Sequence, residues 1–134
     1  VTAAGDNGPF YLSPENYDRY KPLVDIVTDA DLDEVVATYR RFYPLFQEAF
    51  AQLGYPDGYF NDRIVAVIDH LLTTPQPEEP IRLLQPHVLY EFADPELEAL
   101  SSGQKLLLRM GPDHAASINE RLTELRTRIA QPAR

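Results

Sequence analysis

The chain has 134 residues, of which 44% are hydrophobic and 25% charged, and these proportions are ordinary for one soluble globular domain. Its 21 acidic residues and 12 Lys and Arg residues give a net charge of -9, so its surface repels phosphate backbones and we expect no nucleic acid among its partners. The absence of Cys excludes disulfides, thiol nucleophiles and cysteine-ligated zinc.

The predicted organisation is a flexible lead-in over residues 1–9 and a single domain over residues 10–134. The lead-in is small, polar and aperiodic, and such composition is typical of a segment outside the core. The chain begins at Val1 rather than Met, so we expect it to be a piece of a longer protein.

The first helix is predicted to begin at Ser13. Its hydroxyl can cap the amides of the first turn, and Pro14 fits a position that needs no amide hydrogen. We expect a break at Pro22, followed by a second short helix.

The clearest pattern predicts a long helix over residues 29–53. Thr28 and Asp31 resemble a capping box at its start, and Gly54 is a natural left-handed cap at its end. Pro44 lies inside the helix and predicts a kink. Apolar residues recur at alternating steps of three and four, namely Leu32, Val35, Val36, Tyr39, Phe42, Tyr43, Phe46, Ala49, Phe50 and Leu53.

The aromatic part of this stripe is interpreted as core, with a ligand groove as the alternative. Phe46 lies at its centre and is predicted to be buried. Tyr39 and Tyr43 are expected at its edge or in hydrogen bonds to another helix, because a buried hydroxyl needs a partner.

Further helices are predicted over residues 59–73 and after each of three start signals, which are Asp94-Pro95, Ser101 with Gln104, and Gly111-Pro112. The last helix has a narrow apolar seam of Ala115, Ile118, Leu122, Leu125 and Ile129. Residues 88–92 have strand-like composition but no obvious partner strand. The predicted fold is therefore all-α, a compact single-domain bundle of about six or seven helices with one long Pro-kinked helix.

Motifs for metal binding and nucleophilic catalysis fail on inspection. Asp29, Asp31 and Asp33 have the spacing of a calcium loop, but Glu34 stands where Gly is needed and Arg40 where Glu is needed. We interpret them as an acidic helix start. No Ser lies in a Gly-x-Ser-x-Gly elbow, and no His has a second His at the spacing of a helical zinc site. We expect no metal and no cofactor.

The segment from Tyr90 to Gly111 holds the candidate binding residues, Tyr90, Asp94, Lys105 and Arg109. Lys105 and Arg109 share one helix face because they are four residues apart. This face could hold a carboxylate or another anion. The favoured interpretation is an internal bridge from Lys105 or Arg109 to a nearby acid, which would fix two short helices together.

Several segments in order resemble a known family. They are NYDRY (16–20), YPL (43–45) leading to LGYP (53–56), IDHLLTTP (68–75), and YEFADPELE (90–98) leading to QKLLLRMGP (104–112). Together they resemble the bacterial domain-of-unknown-function family numbered 3014, over nearly the whole chain from about Phe10. The resemblance implies a proteobacterial protein with one amino-terminal membrane helix, a Pro-rich linker and a soluble carboxy-terminal domain without an assigned activity.

The function expected from the sequence is that of a non-enzymatic protein-interaction module. The resemblance implies that it belongs to a membrane-anchored envelope protein, has a periplasmic soluble domain, contacts the membrane only through an upstream anchor and takes another envelope protein as its partner. The alternative is a domain, with or without enzymatic activity, that binds a small ligand or an anion in a pocket near the Tyr90 to Gly111 segment. A deep polar pocket would favour the alternative, and a shallow apolar patch would favour the module.

Overall fold

A computed structural model describes residues 2–3, 10–85 and 90–130. The elements in chain order are β1 (Thr2–Ala3), β2 (Phe10–Tyr11), α1 (Pro14–Tyr17), a 3-10 turn (Asp18–Tyr20), α2 (Lys21–Asp29), α3 (Leu32–Gln52), α4 (Phe60–Leu72), β3 (Arg82–Leu84), β4 (Glu91–Phe92), α5 (Pro95–Glu98), α6 (Ser102–Met110) and α7 (Pro112–Ile129). None of the helices described is both long and apolar enough to cross a bilayer.

The chain divides into two compact units. Unit 1 comprises Val1–Asp25 and Thr74–Ser117, and unit 2 comprises Ile26–Thr73 and Ile118–Arg134. The single domain expected over residues 10–134 stays a prediction. Within the predicted lead-in over residues 1–9, Thr2–Ala3 forms β1 and the other positions lie outside the described residues.

Unit 1 contains a small antiparallel sheet that the sequence did not predict. The strand order is β1-β2-β3-β4, with Tyr11 opposite Arg82 and Leu83 opposite Phe92. The predicted all-α bundle is broadly consistent with this mostly helical chain, and the small sheet is the feature that differs. Strands of two or three residues are too short to show an alternating pattern, so only their pairing defines them.

The core of unit 1 packs the sheet against short helices. It buries Leu12, Ile81, Leu83, Phe92, Leu97 and Leu108. The predicted helix starts are confirmed, since Ser13 accepts a hydrogen bond from the Glu15 amide at 3.2 Å and Asp94 one from the Glu96 amide at 2.9 Å. Ser101 and Gln104 form the predicted capping box of α6. Local capping therefore sets the boundaries of these short helices.

Unit 2 packs α3 and α4 with the last turns of α7. Its core contains Val36, Ile68 and Ile129, with Leu122 and Leu125 of the predicted α7 seam packed against it. The long helix begins at Leu32 rather than residue 29, because Asp31 caps it by accepting from the Asp33 amide at 2.9 Å. The proposed Thr28 cap is therefore wrong.

The remaining predictions for α3 concern Gly54 at its end and Pro44 in its interior. Gly54 follows the helix with φ of +114°, which confirms the left-handed cap. Pro44 does lie inside α3. The kink at this proline stays a prediction.

Arg121 of α7 closes the carboxyl end of α2 within unit 2. Its guanidinium donates to the Val27 carbonyl at 3.2 Å and also to the Ala30 carbonyl, and it pairs with Glu124 at 3.2 Å. Last-turn carbonyls of a helix have no partner inside the helix, so this arginine satisfies them. The link joins positions more than ninety apart in the chain, which no local sequence pattern reveals.

Candidate functional site

The acidic start of α3 is structural. Asp31 caps the helix, and Asp33 pairs with Arg128 of α7. Arg40 completes this arrangement by donating to the Arg128 carbonyl at 2.9 Å. The interpretation as a helix start is supported for Asp31 and Asp33, whereas Asp29 is the last residue of α2. The described residues contain no group of three or more His, Asp or Glu side chains placed to hold a metal ion.

Lys105, one of the predicted binding residues, forms an ion pair with Glu98 in unit 1. The Lys105 ammonium lies 3.3 Å from one Glu98 oxygen, and the Phe92 amide donates to the other at 2.8 Å. This is the internal bridge that the sequence favoured, and it links α6 to the end of α5. Because the Lys105 ammonium is already paired with Glu98, it attracts an external anion only weakly.

The remaining predicted residues have separate surroundings. Arg109 lies over the Phe92 ring, 5.1 Å from its centroid, and Tyr90 meets Phe10 edge to face at 5.2 Å. Asp94 caps α5. Arg109 therefore stabilises unit 1 through a cation-π contact, where the sequence suggested a bridge to an acid. The assignment of these four residues as a binding site stays a prediction.

Glu98 makes the stability of unit 1 depend on pH. The hydrogen bond from the Phe92 amide lowers the pKa of Glu98 below its usual 4.5, and Lys105 and Arg109 lower it further. The folded state thus favours the ionised carboxylate, so this stabilisation is present above the pKa of the unfolded chain and is lost as the pH falls through the lower folded value.

We expect Glu98→Gln to destabilise the protein more at pH 7 than at pH 3, since protonation of the Glu98 carboxylate advances as the pH falls toward its lowered folded pKa. Urea midpoints at the two pH values measure this difference. Glu96→Gln on the same helix is the control for the loss of one negative charge. An equal effect of Glu98→Gln at pH 7 and pH 3 would contradict the assigned role.

The cavity beside α6 is too small for a ligand. It lies within unit 1 between Glu79, Ile81, Leu107 and Gly111, and its volume is about 10 Å³. That is about the space of one water molecule. Neither Lys105 nor Arg109 lines it, so the geometry gives the predicted ligand pocket little support.

A different surface of the protein is apolar and exposed, and it lies along α3 in unit 2. Leu45 is 61% exposed and Leu53 is 78% exposed, while Val35, Phe42 and Phe46 are each 41% exposed. We call these five residues the α3 stripe. The prediction that Phe46 is buried in the core is wrong, because the apolar half of α3 is wider than the surface that α4 and α7 cover.

A cluster of aromatic rings packs against the α3 stripe on its inner side, toward α4. Phe46 lies 5.6 Å from the ring of Phe60 on α4 and 6.1 Å from that of Tyr39, and Phe50 lies 5.8 Å from Phe60. Tyr55 stacks on Phe50 at 4.7 Å. Such ring pairs fix side-chain orientation beyond simple area burial, so the stripe rests on a defined base.

Hydrogen bonds hold this aromatic base between α3 and α4. Tyr39 donates to Asn61 at 2.8 Å, and Tyr43 accepts from the Asn61 amide at 3.0 Å, which confirms the predicted hydroxyl contacts to another helix. Burial raises the pKa of Tyr39 to about 12, with a further contribution from Tyr43. Gln47 accepts from the Phe60 amide at 2.7 Å and donates to the Gly58 carbonyl at 2.8 Å.

The exposure of the stripe and the roles of Asn61 and Gln47 were not predicted from the sequence. The signal for the stripe was present in the width of the apolar face. A helix with apolar residues around half of its circumference has more such surface than one packing partner covers. The contacts of these two residues between the helices join positions at least eleven apart, as Gln47 with Gly58 and Asn61 with Tyr39, so no local pattern reveals them.

Comparison with known proteins identifies a family. Residues 1–126 match the family described as a protein of unknown function (DUF3014). The chain belongs to the DUF3014 family. No curated protein and no solved structure matches it. The resemblance seen in the sequence is thus confirmed, and the DUF3014 description assigns no activity.

Proposed function

We propose that this DUF3014 domain is a non-enzymatic protein-interaction module and that the α3 stripe is its binding surface. The observation that carries the proposal is the exposure of five large apolar side chains along one helix. Single exposed apolar residues are normal on soluble proteins, whereas a contiguous exposed apolar patch is typical of an interaction site.

The stripe also has the anatomy of a binding surface. Aromatic side chains occupy its middle, and charged residues Glu34, Arg41 and Glu48 border one side, all of them exposed. The Arg41 guanidinium lies 5.5 Å from the centroid of Phe42, so the border is in contact with the apolar row. An apolar centre with a polar rim is the usual composition of protein interfaces.

From Val35 to Leu53 the stripe spans about 27 Å at 1.5 Å per residue, which is long enough for a helix of a partner protein to lie along it. The stripe lies on a helix and packs on aromatic rings, so binding requires little ordering of the surface. Low ordering cost favours affinity. A ligand site near the Tyr90 to Gly111 segment has no comparable support, since Lys105 is paired there and the cavity holds about one water.

The direct test is site-specific photo-crosslinking in cells that express the full-length protein. A photoreactive amino acid at Leu45 is expected to give covalent protein adducts. The same amino acid at Arg63, an exposed position of α4 in the same unit, is the matched control and is expected to give few. Equal labelling at both positions, or none at Leu45, would reject the proposal.

We place this module in the cell envelope, on the periplasmic side of an upstream membrane anchor. The resemblance to anchored proteobacterial proteins supports this placement. Protease added to spheroplasts is then expected to digest the domain while a cytoplasmic marker survives. Protection of the domain until the inner membrane is lysed would reject the periplasmic assignment.

A further inference from the structure

We propose that the partner of the α3 stripe is a second copy of this chain, bound with its α3 antiparallel. The inference rests on the proposed function and names the occupant of the same surface. It starts from the spacing of the exposed face. Six exposed positions of α3 recur at steps of three, four, three, four and three, namely Val35, Thr38, Phe42, Leu45, Ala49 and Gln52, and Phe46 and Leu53 of the stripe lie beside them.

This spacing is the heptad repeat of a helix that packs against another helix. Val35, Phe42 and Ala49 take the first core position of each heptad, and Thr38, Leu45 and Gln52 take the second. In an antiparallel pair, each first position faces a second position of the other copy. Phe42 then packs on Leu45 of the second copy at the centre, so the largest side chains meet where burial is greatest.

The charges along one border decide the direction. Glu34, Arg41 and Glu48 recur every seven residues, next to the first core position. With Phe42 opposite Leu45 of the second copy, Arg41 lies beside Glu48 of that copy, and the two-fold axis repeats the pair. In a parallel arrangement the same charges would face the border positions Tyr39, Phe46 and Leu53, which offer them no charged partner.

Self-complementarity is what a two-fold interface requires, since one surface must fit itself after rotation. The charged border of the stripe meets this condition because Arg41 and Glu48 lie on either side of the midpoint, near residue 44. Antiparallel helices also bring opposite ends of their dipoles together. A partner of unrelated sequence would not require this symmetry in the charges of α3.

The first experiment measures association of the purified chain by sedimentation equilibrium from about 1 to 200 µM, the range of weak specific interfaces. The wild type is expected to reach twice its monomer mass. Arg41→Glu and Glu48→Arg are each expected to weaken dimerisation by about tenfold, because each places like charges together twice. The double exchange Arg41→Glu with Glu48→Arg is expected to restore it to within about threefold.

Glu34→Arg is the matched control, since residue 34 lies on the same border but has no charged residue opposite it in the antiparallel pair. It is expected to change the dissociation constant by less than about twofold. All of these side chains are exposed, so circular dichroism should show unchanged helix content. A wild type that stays monomeric throughout, or a double exchange that restores nothing, would overturn the proposal.

Disulfide trapping gives an independent measurement because the chain has no Cys. Val35→Cys mixed with Gln52→Cys is expected to give a crosslinked dimer, since these positions face each other in the antiparallel pair. Val35→Cys alone is the control. Its two copies would lie about 25 Å apart, too far for a disulfide. Crosslinking of Val35→Cys alone at equal efficiency would overturn the antiparallel arrangement.

The two proposals fail in different ways. In the photo-crosslinking experiment at Leu45, an adduct of twice the chain mass supports the second copy. An adduct of another mass, with a monomeric purified chain, leaves the interaction module standing and rejects self-association. The lack of any adduct rejects both.

Discussion

Gly111→Ala is expected to destabilise unit 1 by about 3 to 5 kcal/mol, through backbone strain and a steric clash together. Gly111 has φ of +92° and ψ of 162°, a conformation that is essentially restricted to glycine. A methyl group at this position would lie 2.5 Å from the ring of Tyr17. Tyr17 is held in place by its hydroxyl, which donates to Glu79 at 2.5 Å, so the ring cannot move away freely.

Chemical denaturation of the variant measures this loss, and Gly54→Ala is the matched control. Gly54 also has positive φ, +114°, but no atom lies within 4 Å of the added methyl group, so strain acts alone and the expected cost is about 1 to 2 kcal/mol. Tyr17→Ala combined with Gly111→Ala should cost less than the sum of the single changes, because the clash is removed. Strict additivity would contradict the assigned contact.

The helix boundaries could be predicted because their causes are local. Asp94 and the pair of Ser101 and Gln104 cap amides within three residues of themselves, and Gly111 lies between two helices as its sequence suggested. The sheet could not be predicted in the same way. Tyr11 pairs with Arg82 across seventy-one positions, and neither strand is long enough to show a period.

The exposure of the α3 stripe could not be predicted from the sequence for a different reason. The periodicity of α3 correctly identified which residues share a face, but it does not state how much of that face another element covers. Leu45 and Leu53 lie on the part left exposed, whereas Val36 lies in the core. A partner inside the chain and a partner outside it produce the same apolar pattern, so only the packing distinguishes them.

The sequence predicted an acidic partner for Lys105 or Arg109 on α6, and the structure shows one for Lys105. Acids close in sequence suggested a bridge on α6, and Lys105 does form it with Glu98. Arg109 instead lies over Phe92, because β4 brings that ring next to α6. The ring reaches this position through the sheet, and its contact with Arg109 therefore depends on the element that the sequence did not reveal.

The last prediction compares Phe92 with Phe46, the phenylalanine that the sequence predicted to be buried. Phe92→Ala is expected to cost about 3 to 5 kcal/mol, because Phe92 is 2% exposed and belongs to the core of unit 1. Phe46→Ala is expected to cost only about 1 to 2 kcal/mol, since Phe46 is 41% exposed and loses mainly its contacts with Phe60 and Tyr39.

Urea unfolding of both variants at one low protein concentration checks this order without a contribution from self-association. Phe92→Leu is the control that retains apolar volume while removing the ring under Arg109, and it should lose less than about 2 kcal/mol. If Phe46→Ala instead costs as much as Phe92→Ala, then Phe46 is a core residue, the face of α3 is covered within the chain, and the α3 stripe is not available to any partner.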